Sequence, residues 1–136
     1  MKYLYIIIFL GVLGLTTAVA QDCTLGVGYA DNTTLGSVFQ LNEQQKELLA
    51  QFSTASRIAN KELEAKAFDL RENHPQKTPD QLLLFNQKYD SIKLQMAQQA
   101  TLFDKKLITI FNEKQYARYQ QLCAEVKRIP LQRLVE

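Results

Sequence analysis

Nine apolar residues, Leu82, Phe85, Tyr89, Ile92, Met96, Ala100, Phe103, Leu107 and Ile110, follow one another at steps of three or four. At ~100° per residue they fall within about 40° of a common line along a helix, a pattern no strand reproduces. Thr78 caps this helix, Pro79 stands at its first position, and Gln81 completes a capping box. At ~1.5 Å per residue such a helix is roughly 45 Å long.

A second long helix precedes it, from Asn42 to Glu72. Asn42 is its cap, with Gln45 three residues on. Leu48, Phe52, Ala55, Ala59, Leu63 and Leu70 make its stripe, interrupted by Lys66. It ends at Asn73-His74-Pro75, because proline bars the residue before it from the helical region. Only that turn separates the two rods, so they fold into an antiparallel hairpin, stripe against stripe. A third helix starts at the cap Asn112 with Gln115 three residues on. Its apolar face is Tyr116, Tyr119, Cys123 and Val126, and it ends by Pro130. The expected fold is all-α: a long antiparallel helical hairpin plus a C-terminal helix.

The regions around this hairpin read differently. Residues 1–20 have the form of an export signal: Lys2, an uncharged apolar run from Leu4 to Leu15, then Ala18-Val19-Ala20 as the cleavage pattern. The run is shorter than the ~20 residues a membrane span needs. Residues 21–40, with Gly26, Gly28, Gly36 and the cluster Asp31-Asn32-Thr33-Thr34, read as an irregular N-terminal strap. Asn32-Thr33-Thr34 is also a formal glycosylation sequon. Residues 41–129 form the helical domain and 130–136 a C-terminal tail. The location expected is periplasmic or secreted, with no membrane insertion after cleavage.

Export places Cys23 and Cys123, the only cysteines, where disulfides persist. An intramolecular bond would pin the strap to the packed side of the last helix, and a bridge between copies or free thiols is the alternative.

The chemistry the sequence offers is thin. Sixteen Lys and Arg against fourteen Asp and Glu give a net charge of +2, too even for a nucleic-acid footprint. His74 is the single histidine, there is no nucleophile motif or phosphate loop, and paired acids such as Glu62 and Glu64 point to different sides of a helix. Glu62 and Lys66 read instead as a solvated ion pair. No enzyme activity, metal or cofactor is expected. Apolar residues off the packing stripes are more informative. Ile58, Ala65 and Phe68 on the first rod, and Leu84, Leu94 and Leu102 on the second, are candidates for a protein-binding surface or a homodimer face.

Leu41-Asn42-Glu43-Gln44-Gln45 and Phe111-Asn112-Glu113-Lys114-Gln115 resemble two copies of the LTxxQ motif that marks the Spy/CpxP family of periplasmic proteins. One opens the first long helix and the other the last. Asn42 and Asn112 stand in the threonine position, and Phe111 in that of the second leucine. The resemblance covers roughly Leu41 to Glu125. It implies an ATP-independent chaperone or envelope-stress accessory protein, whose bent hairpins pair as a cradle around unfolded clients. Some relatives sense zinc, nickel or cobalt, and the scarcity of His and Met argues against that branch. The alternative is a dedicated regulatory or structural partner of one envelope protein.

Overall fold

The computed structural model describes residues 20–135, so the export signal read from residues 1–20 lies outside the described residues apart from Ala20. The elements in order are β1 (Asp22–Cys23), α1 (Asn32–Val38), α2 (Glu43–Asn73), α3 (Pro79–Thr109), α4 (Glu113–Glu125) and β2 (Ile129–Pro130). The fold is all-α, with α2 and α3 packed as a long hairpin. One small parallel pairing, Asp22 to Ile129 and Cys23 to Pro130, joins the two ends of the described residues.

Three helices start where their caps place them. Asn42, Thr78 and Asn112 are in extended conformation, each side chain accepts from the amide three residues on, and each box is closed by a glutamine. α2 stops as Pro75 requires, with His74 extended at φ −82° and ψ 129°.

Three expectations are corrected, and the tail gains a place. The strap is not wholly irregular: Asp31 caps the seven-residue α1, which buries Leu35. The C-terminal tail is docked: Leu131 is buried and Arg133 stacks over the Tyr116 ring at 4.2 Å. The buried side of α2 is rotated from the predicted stripe. Leu49, Ser53, Ser56, Asn60 and Leu63 face inward, and Ala55 is exposed. Small polar residues serve there because the strap comes very close: a Cβ on Gly28 would lie 2.8 Å from Ser56. Lastly, Val126 is exposed, since α4 has already ended at Glu125.

The core sits at one end of the hairpin, the base, where α1, α4, the strap and the C-terminal tail gather. Val27, Leu35, Phe39, Leu41, Leu49, Phe103, Leu107, Ile108, Phe111 and Tyr119 pack there. Two amides close it. Gln45 Nε2 donates to Gln115 Oε1 at 2.8 Å, and Gln115 Nε2 donates back to Gln45 Oε1 at 2.9 Å. Their remaining N–H groups reach equivalent carbonyls, Ile110 at 2.8 Å and Gln40 at 3.3 Å. Each Oε1 also accepts from its own cap amide, Asn42 or Asn112. Every polar atom of the two amides is thus used, as burial demands. The motif copies meet about a local two-fold arrangement, with Leu41 and Phe111 buried beside them. Gln45→Ala strands the Ile110 carbonyl, the Asn42 amide and half of the Gln115 amide. It is expected to destabilise the chain by about 2–3 kcal/mol, measurable by urea unfolding.

The disulfide Cys23–Cys123 fixes the strap to α4, with the Cα atoms 5.6 Å apart. Two further residues secure it. Asp104, 1% exposed, accepts from the amides of Leu25 (2.7 Å), Gly26 (3.2 Å) and Val27 (2.9 Å). Burial pushes this carboxyl above its ordinary 3.8, and the amide donors of Val27, Leu25 and Gly26 pull it back. Tyr119, fully buried, donates its hydroxyl to the Cys23 carbonyl at 2.7 Å and accepts from the Leu131 amide at 2.8 Å. The strap and the C-terminal tail therefore hang on one phenol, whose pKa burial also raises.

Candidate protein-binding surface

Beyond the base the hairpin continues as an arm only two helices thick. A residue on either rod has one neighbouring helix there, so the packing stripe of α3 cannot be covered. Of its nine members only Phe103 and Leu107 are buried, while Phe85, Ile92 and Met96 are half-buried and Leu82 and Tyr89 are exposed. The stripe predicts the helix and overstates the core.

Between the rods of the arm lies an open groove of about 560 Å³, lined by Ala65, Ala67 and Phe68 of α2 and by Tyr89 and Met96 of α3. Lys61, Glu64 and Arg71 border it. Phe68 is 58% exposed. Arg71 lies over the Phe68 ring at 5.3 Å and Lys93 over the Tyr89 ring at 5.5 Å, so the aromatic faces are flanked by cations. Toward the tip, Phe85 stacks on Tyr89 at 5.8 Å and His74 packs against Phe85 at 6.0 Å.

All six candidate surface residues are exposed, but they do not form one patch. Ala65 and Phe68 share the arm groove with Tyr89 and Met96. Leu102 lines a separate hollow with Ala97 and Leu134 of the docked tail, and Ile58 lines another with Ala50 and Ala55. Leu84 and Leu94 stand elsewhere on α3. Sequence reasoning passed over Leu82 and Leu83 as surface residues, although they are 44% and 59% exposed. Leu82, Leu83 and Leu84 are consecutive and point about 100° apart, so together they face several sides of the tip.

Among the described residues, no three His, Cys, Asp or Glu side chains gather as a metal site, and no helix is long and apolar enough to cross a membrane. Glu62 and Lys66 are not paired. The ion pairs of α2 are Lys46 with Glu43 at 2.8 Å and Arg71 with Glu72 at 3.2 Å, exposed contacts that add little. Asn32 of the sequon accepts the Ser53 hydroxyl at 2.7 Å, which turns its amide toward α2. Comparison of the chain with protein-family models, curated proteins and solved structures found no match.

Proposed function

We propose that the protein is exported and that its hairpin arm holds unfolded stretches of other proteins, without nucleotide, metal or catalysis. The observation that carries this reading is the open groove of Phe68, Ala65, Tyr89 and Met96 on an arm too thin to cover its own stripe. Uncovered apolar surface gains by closing over an apolar partner segment, at ~25 cal/mol per Å² removed from water. The cations beside the aromatic rings would favour segments that carry acidic side chains near their apolar ones.

The spread of the apolar residues favours many clients over one dedicated partner. A single docking face would gather them on one side, whereas Leu82, Leu83, Leu84, Leu94 and Phe68 are exposed around the arm. The paired motif copies at the base support the Spy/CpxP likeness and an envelope role.

The test is light scattering from several aggregating client proteins, with this chain added at stoichiometric ratio and without ATP. Suppression across the clients is expected, and Phe68→Ser is expected to weaken it several-fold while leaving the melting temperature unchanged. Failure with every client would remove the holding role, and one tight partner in its place would favour a dedicated interaction.

A further inference from the structure

The cleavage pattern Ala18-Val19-Ala20 ends one residue short of the folded body. Among the described residues the first element, β1, begins at Asp22, and the disulfide anchors Cys23. A cut after Ala20 therefore makes Gln21 the new end, and that end belongs to the base. Gln21 is exposed, yet its carbonyl accepts from the Ile129 amide at 3.0 Å. A terminus tied into a sheet in this way stays ordered where a free one frays. Gln21 is also the residue type whose own side chain captures a new α-amine. The amine nitrogen and the side-chain carbonyl carbon are spaced to close a five-membered lactam, and an intramolecular attack of this kind has a large effective concentration. An α-amine has a pKa of about 7.7–8.0, so a sizeable fraction is uncharged and nucleophilic near neutral pH.

We infer that Gln21 is a modification site, converted to pyroglutamate once the leader is removed. The inference rests on the export reading and is independent of what the arm binds. The α-amine nitrogen bonds to the side-chain carbonyl carbon, and the bond from that carbon to the amide nitrogen breaks. The proton lost by the amine leaves with that nitrogen as ammonia. No oxidant, reductant or co-reactant is needed. The new end is neutral and has no primary amine, while the Gln21 carbonyl that Ile129 uses is untouched. The fold supplies the reason for such a seal. Only Gln21 and Asp22 precede Cys23 in the cleaved chain. An aminopeptidase, which needs a free α-amine, would remove them and with them the pairing of β1 and β2. The lactam closes the small sheet to trimming from its N-terminal side.

The intact mass of the exported chain, expressed from the full sequence with its leader and incubated at neutral pH, tests this. The chain beginning at Gln21 should be lighter by one ammonia. After reduction, the tryptic peptide from Gln21 to Lys46 should carry the whole difference. Gln21→Asn, which would need a smaller, strained ring, should be cut at the same bond and keep its ammonia. A wild-type chain that begins at Gln21 and retains its ammonia would overturn the inference and leave export standing. A cut at another bond would overturn the inference alone, and an uncleaved chain would remove the export reading with it. Under a broad aminopeptidase the wild type should hold its mass while Gln21→Asn loses its first residues. Equal trimming or equal resistance of the two chains would contradict the protective role.

Discussion

Replacing Cys23 and Cys123 together by serine should lower the free energy of unfolding by about 4–5 kcal/mol. The bond closes a loop of 100 residues, for which the chain-entropy model gives ~4.7 kcal/mol. In a domain of this size that corresponds to a fall in melting temperature of roughly 15–25 °C. The loss is large because the core is confined to one end of the hairpin. The arm adds length but few buried side chains, Leu63 among them, so the base must supply most of the stability, and both strands of the small sheet belong to the base. Thermal melting followed by circular dichroism, oxidised chain against the double variant, reads this directly. Reduction of the unaltered chain should reproduce the shift. Equal melting temperatures would mean that the ends are held without the bond.

Asp104→Ala carries the next largest effect, about 3–5 kcal/mol. It removes the shared acceptor of three consecutive amides, those of Leu25, Gly26 and Val27, at a buried place. Stranding these donors costs more than removing the buried charge returns. The carboxyl also carries a pH signature. Burial raises it above 3.8, so the folded chain keeps this proton to higher pH than the unfolded chain does. Its contribution to stability is full below 3.8 and is lost as pH rises through the raised folded value. The variant should therefore be less stable throughout and should lack that decline. Urea midpoints measured across the acidic range for both chains check both statements, and parallel profiles would contradict the second.

The helices were legible because their signals are local. Asn42, Thr78 and Asn112 each carry a glutamine three residues on, and Pro75 stops α2; none of this depends on what lies across the fold. α1 escaped because seven residues with Thr33, Thr34 and Gly36 show no periodic face, and only Asp31 marks its start. The phase of α2 escaped for a tertiary reason: the close approach of Gly28 selects serine at position 56 and the Asn32 side chain engages the Ser53 hydroxyl, where a hydropathy pattern looks for leucine. Asp104 could have been found. It is an acid set among Ala100, Phe103, Leu107 and Ile108 on the packed side of α3, and a lone charge in that setting requires partners. The pairing of Gln45 with Gln115 could not, since capping explains each glutamine within its own helix. For the binding surface, spacing identified exposed residues such as Phe68 and Leu94. It assigned Tyr89 and Met96 to a core that a two-helix arm does not possess.

The central claim is that unfolded segments are held on the arm and not on the base. Site-specific photo-crosslinking to an unfolded client tests it most directly, with the crosslinker placed at Phe68 in one chain and at Gln121, on the exposed side of α4, in another. The account predicts strong crosslinks from position 68 that vanish once the client has folded, and none above background from position 121. Crosslinks from position 121 alone, or equal yields from the two sites, would contradict it.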